Sequence, residues 1–270
     1  MALRIDDLDG ERASAEFADA ARRDLEWLGL DWDGEAYVES SGLERMKQAI
    51  AELLEAGRAY VCTCSRGDVR QAQNAPHEGA AEPRYPGTCR GRWSSLAEAE
   101  RVSGRPAGVR FSVPDTAVRF HDLVAGPQCF DVGSEVGDFL IARRGGAPAY
   151  QMAVVIDDAI QGVNEVIRGD DLLPSTARQK LLQAALSLPH PRWAHVPLVT
   201  DAFDQRLAKR SAALGIAELR VRGVDPRRIV SWAARSAGIE VGELLWPAEL
   251  GRSFSIEHIA RARVAAPVFS

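Results

Sequence analysis

Residues 150–179 read YQMAVVIDDAIQGVNEVIRGDDLLPSTARQ, and the fold class turns on how this stretch is divided. Met152-Ala153-Val154-Val155-Ile156 is a continuous apolar run between polar flanks, which reads as a strand buried on both faces. Val166-Ile167 is a second apolar step, and it leads into Arg168-Gly169-Asp170-Asp171. A helix is expected to open near Ser175 and to carry Leu181, Leu182, Ala185 and Leu186. Buried strands separated by helices imply an α/β domain with a mostly parallel sheet.

Working outward, Leu3-Arg4-Ile5 reads as a short strand that runs into the acidic cluster Asp6, Asp7 and Asp9. A helix follows with Phe17, Ala21, Leu25 and Leu28 on one face. Leu43, Met46, Ile50, Leu53 and Leu54 make a second amphipathic helix, stopped by Gly57. Residues 60–93 carry Cys, Pro, Gly and Arg without an apolar period, as an irregular insertion would. Val109, Phe111 and Val113 alternate with polar neighbours, the pattern of a half-buried strand, and Val196-Pro197-Leu198-Val199 reads as a short buried one. From Asp225-Pro226, a good N-cap and N1 pair, the chain is expected to stay helical to its end.

Of the 270 residues, 46% are hydrophobic and 26% charged, which excludes a disordered chain. No run approaches the ~18 apolar residues of a membrane helix, so no membrane partner is expected. The opening MALRIDDLDG turns acidic within six residues and has no signal-peptide core, which implies a cytoplasmic protein. Four cysteines, Cys62, Cys64, Cys89 and Cys129, are too few for a disulfide scaffold; three of them fall within 28 residues, which favours metal over disulfide. The net charge of −5 argues against indiscriminate nucleic-acid binding. It averages over an uneven chain: residues 1–60 carry fifteen acids against seven bases, and residues 204–230 seven bases against three acids.

Cys62-x-Cys64 followed by Tyr85-x3-Cys89 offers three thiols and a phenol in a loop-rich segment, an acceptable donor set for tetrahedral zinc. His77 is a rival fourth ligand, and buried cysteines beside a packed tyrosine are the plain alternative. The chain has thirty arginines and only Lys47, Lys180 and Lys209 as lysines, so Lys209 in Arg206-Leu207-Ala208-Lys209-Arg210 is no routine solubilising choice. A compact ammonium there suits a phosphate-bearing substrate. Tyr150 and Arg168 bracket the expected 152–156 strand, and ligands in open α/β sheets gather at strand carboxyl ends. Arg168 suits bidentate capture of a carboxylate, against the alternative of an ion pair with Asp157, Asp158 or Asp170.

Taken together, LRIDDLD at 3–9, the cysteine–tyrosine segment at 62–89, residues 150–179 and RLAKR at 206–210 resemble the catalytic core of the glutamyl-tRNA synthetases. The resemblance is strongest to their short relatives, the glutamyl-queuosine tRNA(Asp) synthetases. It implies a class I Rossmann-type parallel sheet with a zinc-bearing insertion and a C-terminal helical region. Residues 1–60 would be the remainder of the first Rossmann half and 61–108 the zinc-bearing insertion. Residues 109–200 would be the second half with the glutamate site, and 201–270 the KMSKS-type loop and helical region. The implied reaction activates L-glutamate with ATP, accompanied by Mg2+, and transfers it to queuosine in tRNA(Asp), by a monomer. By position, Asp6 would hold the α-ammonium, Tyr150 would contact glutamate and Arg168 would pair with a substrate carboxylate. Lys209 would be the catalytic phosphate-stabilising lysine, with Arg206 beside it on ATP. Cys62, Cys64, Tyr85 and Cys89 would hold one structural Zn2+, in preference to His77.

Three departures accompany the resemblance. Asp6 stands where the family has Glu, and RLAKR has Arg206 and Ala208 in place of Lys and Ser. The family also opens with a PSPTG segment and a HIGH signature that place an imidazole and a helix N-terminus on the ATP phosphates. No such string occurs in the 270 residues, whose histidines are His77, His121, His190, His195 and His258. The expectation is that the segment lies upstream of Met1, the alternative being a paralogue without adenylation activity. Other readings are a glutamyl-tRNA synthetase fragment and a non-catalytic zinc-containing RNA-binding module.

Overall fold

The structure, a computed structural model, describes residues 1–8, 14–72, 84–201, 215–251, 254–256 and 259–267. The short strand β1 (Arg4–Ile5) pairs in parallel with β2 (Tyr37–Val38), and α1 (Ala15–Trp27) lies between them in sequence. Ser14 caps α1 by accepting the Phe17 N–H. The next helix, α2 (Leu43–Glu55), buries Met46, Ala49, Ile50 and Leu53 at helical spacing, as the sequence pattern requires. Then come β3 (Ala59–Cys62), α3 (Arg66–Ala72), α4 (Leu96–Ser103) and β4 (Gly108–Phe111). A hairpin of β5 (Val118–Asp122) and β6 (Gly126–Phe130) precedes α5 (Val132–Glu135) and β7 (Leu140–Ala142).

The 150s are a helix, not a strand: α6 spans Tyr150–Ile160. Every residue from Gln151 to Asp157 is buried, because α6 packs against α2, β7 and α7 (Leu173–Ala185). A helix covered all round has no polar stripe, so its sequence reads as an unbroken apolar run, and periodicity cannot separate it from a buried strand. Met152, Val155 and Ile156 join Met46, Leu53, Phe111, Ile141 and Leu182 in the main core. Each such side chain contributes about 1.5–3 kcal/mol through area removed from water.

The sheets are mixed. Strands β3, β4 and β7 form an antiparallel sheet in that order, and with β8 (Glu165–Gly169) and β9 (Arg192–Val196) a second sheet runs β6-β5-β9-β8. In the latter, β8 and β9 are parallel, with α7 as the crossover between them, and β5 adds in parallel to β9. The parallel part is thus a βαβ unit with a hairpin at one edge, not the mostly parallel sheet the apolar runs suggest. The buried strand near residue 196 is β9, and it ends at Val196, before Pro197, which has no N–H for the ladder. The pair Val199–Thr200, β10, then starts a separate two-stranded sheet.

Other expectations also need amending. Strand β4 is buried along its whole length, Arg110 included, rather than half-buried. Helix α1 exists but buries no residue; Phe17 is 68% exposed, and the helix leans through Trp27 and Leu28 on α8 (Ile216–Val221) and α9 (Pro226–Ser236). Asp225 caps α9 as its sequence indicates. Beyond α9, the described residues form a short α10 (Pro247–Leu250) and β11 (Val264–Ala265), which pairs with β10, so the chain does not stay helical. The segment at 60–93 begins with β3 and contains α3, so it is less irregular than its composition suggests. Among the described residues, no helix is long and apolar enough to cross a membrane.

The buried α6 yields a direct test. Met152→Ala should lower stability by about 2–5 kcal/mol, whereas Phe17→Ala should fall within about 0.5 kcal/mol of wild type. Urea midpoints at unchanged m-value measure both, and equal losses would contradict the placement of α6 in the core.

Candidate functional site

At the carboxyl ends of the parallel strands, Arg168 of β8 and His195 of β9 sit opposite one another in register. Arg168 Nε donates to His195 Nε2 at 3.0 Å, and Nη2 donates to Thr176 Oγ1 at 2.8 Å and to the Leu172 carbonyl at 3.4 Å. On its other side, His195 Nδ1 lies 2.6 Å from Asp122 Oδ2, with both side chains fully buried. Asp122 Oδ1 also accepts the backbone N–H groups of Val124, Ala125 and His195 at 3.0, 2.8 and 3.1 Å.

This network fixes protonation states. Burial raises the Asp122 carboxyl, but the N–H groups of Ala125, His195 and Val124 and the imidazole outweigh it and hold the pKa below the usual carboxylate range. Burial holds His195 below its ordinary value despite Asp122. The imidazole is therefore neutral, with its proton on Nδ1 toward Asp122 and its Nε2 lone pair toward Arg168. Arg168, lowered by burial, has a phenol (Tyr150), an imidazole, a hydroxyl and a carbonyl as its hydrogen-bond partners. Among the described residues no carboxylate touches it directly, so its charge is oriented but not neutralised there.

An acidic wall faces this arginine. Arg4 bridges Asp6 and Asp158 at 2.8 and 2.6 Å, and the fields of Arg168, Asp6, Arg4 and Asp158 all reach the Tyr150 phenol. The structure therefore brings Asp6, Tyr150 and Arg168 to one mouth, with Tyr150 at the first turn of α6 rather than on a strand. Asp7 is turned away and accepts the Ser40 N–H at 2.7 Å. Nearby lies Asp157, buried, bonded to the Tyr37 hydroxyl through Oδ1 at 3.1 Å and, among the described residues, without a partner on Oδ2. Burial pushes Asp157 up to about 6; burial and the charges of Asp6 and Asp157 push Glu39 up to about 7. A fixed guanidinium opposite carboxylates complements a zwitterionic acid. Asp9, Arg206, Lys209 and His77 lie outside the described residues.

The second constellation is the cysteine centre. Cys62 closes β3, and the sulphurs of Cys62, Cys64 and Cys89 all lie within 4.8 Å of one another, with Cys64 and Cys89 at 3.5 Å. The Tyr85 hydroxyl lies 3.4 Å from Cys62 Sγ and 3.7 Å from Cys64 Sγ, and it accepts the Cys89 N–H at 2.9 Å. Tetrahedral Zn–S bonds of about 2.3 Å place sulphurs about 3.8 Å apart, so the donor set fits an ion of that kind. Tyr85 is fixed by backbone pairing with Gly137 and by its N–H on the Val136 carbonyl at 2.9 Å. Gly137 has φ +70°, and a Cβ there would stand 2.4 Å from the Tyr85 carbonyl oxygen. Cys129 is exposed and apart.

Asp122, His195 and Thr176 went unnoticed in the sequence because 73 residues separate Asp122 from His195. Only the register of β9 against β8 could have flagged the histidine. Asp157 and Glu39 carry a pH signature. An acid with a raised native pKa adds stability that is full below about pH 4 and is lost as pH rises through its native value. For these two groups that window extends from about pH 4 to native values of about 6 and about 7. Asp122 and His195, both lowered, act in the opposite sense and lose their contributions as pH falls. In urea unfolding from pH 4 to 8, Asp157→Asn should therefore show a shallower alkaline decline than wild type; parallel curves would contradict the raised Asp157.

Comparison with known proteins gives this geometry a context. Residues 1–257 match the family model of tRNA synthetases class I (E and Q), catalytic domain. A relative from Symbiobacterium thermophilum named Glutamyl-Q tRNA(Asp) synthetase is 41% identical over 275 residues, spanning 98% of this chain and 85% of the relative. One of the same name from Nocardia farcinica is 42% identical, spanning 88% and 74%. A Glutamate–tRNA ligase from Geotalea uraniireducens is 39% identical, spanning 96% of this chain and 55% of its own length. Among solved structures, the glutamate-tRNA synthetase of Elizabethkingia anophelis superposes with a TM-score of 0.80 at 20% identity, over 98% of this chain and 61% of that one. The chain belongs to the class I (E and Q) tRNA synthetases, and residues 1–257 correspond to their catalytic domain.

Proposed function

We propose that the chain activates L-glutamate with ATP and transfers it to queuosine in tRNA(Asp). The observation that supports this reading is the convergence of Asp6, Tyr150 and Arg168 at the ends of parallel strands. The queuosine destination rests on relatives named Glutamyl-Q tRNA(Asp) synthetase at 39 to 45% identity, of whose own length the chain spans 66 to 85%, against 55 to 58% of those named Glutamate–tRNA ligase at 37 to 39% identity.

In this reading Arg168 pairs with a carboxylate of glutamate, Tyr150 orients it and Asp6 receives its ammonium group. The reacting α-carboxylate attacks the α-phosphorus of ATP, and pyrophosphate leaves. Lys209, with Arg206, balances the charge that builds on the departing phosphates. A queuosine hydroxyl then attacks the acyl carbon, and AMP leaves with the bonding electrons while the hydroxyl proton is released. Cys62, Cys64, Tyr85 and Cys89 hold a zinc ion whose contribution is structural cross-linking of a segment with a small apolar cluster.

Glutamate-dependent ATP–pyrophosphate exchange, followed by charging of tRNA(Asp) with and without queuosine and of tRNA(Glu), tests the reading. Because the 270 residues contain no HIGH-type string, they should not support exchange alone. A version extended at its amino end by a strand–helix unit bearing that signature should. Exchange by the unextended chain would refute the first expectation, absence of exchange by the extended one the second, and charging of tRNA(Glu) in place of tRNA(Asp) would refute the queuosine destination. An extended protein that binds tRNA without forming adenylate would favour a non-catalytic paralogue. In the active form, Arg168→Ala should weaken glutamate binding roughly 10–100-fold, the scale of a lost charged hydrogen-bond pair, and Arg168→Lys should restore little.

A further inference from the structure

The middle strand of the antiparallel sheet carries an arginine where the core demands apolar side chains. Arg110 is 8% exposed, between Val109 at 1% and Phe111 at 0%. Its Nε donates to Cys62 Sγ at 3.3 Å, its Nη1 donates to the Asp138 carbonyl at 2.7 Å, and its Cζ lies 3.7 Å from the centroid of the Tyr85 ring. It has no carboxylate partner among the described residues. The nearby Asp138 carboxylate is committed to the Tyr60 hydroxyl, the Arg90 guanidinium and the Val113 N–H.

A buried cation facing only neutral dipoles is expensive, and a strand interior offers no water to relieve it. The cost falls once the facing groups become anionic. Three thiolates around a divalent ion leave one net negative charge. Arg110 is aimed at two of the four donors, the sulphur of Cys62 and the ring face of Tyr85. Its third contact, the carbonyl of Asp138, is backbone one residue beyond the glycine that fixes Tyr85.

We propose that Arg110 is the counter-cation and positioning residue of the cysteine centre, neutralising its excess charge and locking Cys62 and Tyr85 against the core sheet. The inference rests on reading Cys62, Cys64, Tyr85 and Cys89 as a metal site. It assigns Arg110 no contact with the ion. Its role runs through the sulphur and the ring, as outer partners of metal ligands act.

The test measures zinc affinity by competition with a chromophoric chelator, and the cobalt-substituted absorption spectrum, for wild type and Arg110→Gln, Arg110→Lys and Arg92→Gln. Arg92 stacks on Trp93 three residues from Cys89 but is exposed, so it controls for surface charge in the same loop. Arg110→Gln should lose roughly 10–100-fold in zinc affinity and shift the sulphur-to-cobalt band. Arg110→Lys, which keeps the charge but loses the planar stack on Tyr85, should recover part of the affinity, and Arg92→Gln should stay within about twofold of wild type. Arg110→Gln at wild-type affinity overturns the proposal, and so does Arg110→Lys as impaired as Arg110→Gln. Should Arg110→Gln fail to fold, the lysine variant decides alone: affinity retained in part or whole supports the charge role, and a full loss refutes it. Wild type that takes up no zinc overturns the metal reading itself, a result distinguishable from failure of the Arg110 assignment.

Discussion

A buried guanidinium must be satisfied, and how it is satisfied decides whether its charge remains usable. Arg168 donates its hydrogen bonds to an imidazole, a hydroxyl, a carbonyl and a phenol, none of which carries a negative charge. The compensating carboxylate, Asp122, stands one ring further away, behind His195. Geometry is thus fixed without cancelling the attraction for an incoming anion. A direct Asp–Arg pair would have been the more stable local solution and a poorer binding site. The βαβ unit serves this arrangement: β8 and β9 hold the arginine and histidine in register, and α7 brings Thr176 beneath them. Arg110 at the cysteine centre likewise meets sulphur, carbonyl and ring face, with no carboxylate partner among the described residues, but there the facing thiols can supply the compensating charge.

Helix α6 connects these features to the core. Its first residue, Tyr150, faces the site, its next seven are buried, and Asp157 near its far end bonds the Tyr37 hydroxyl beside β1. One rigid element therefore sets the spacing between the phenol at the mouth and the buried carboxylate. Gly42 contributes to that closeness, since a Cβ there would lie 2.4 Å from the Tyr37 hydroxyl oxygen and 2.9 Å from Asp157 Oδ1.

What the sequence made legible follows from how local each signal is. The cap at Asp225, the face of α2 and the clustering of three cysteines depend on residues a few positions apart, and the structure carries all three. The 152–156 run reads as a strand because the period of a helix becomes visible only when one face meets water, and α6 has no such face over that stretch. The mixed character of the sheets was hidden for a related reason. Buried strands of either direction have the same apolar composition, and direction is set by the connections. His195 and Asp122 offered no pattern at all, because their partnership exists only once β5, β9 and β8 are side by side. Arg110 was passed over as the polar member of an alternating strand, although its neighbours are buried on both sides.

The pairing of Tyr85 with Gly137 ties two distant parts of the chain together. The phenol is held through a backbone contact 52 residues away in sequence. Position 137 tolerates no larger residue, since even a Cβ there would push the Tyr85 backbone away and carry the phenol from the sulphurs. A glycine with no donor atom of its own is thus part of what shapes the cysteine centre, and a substitution at it would register there, far from it in sequence.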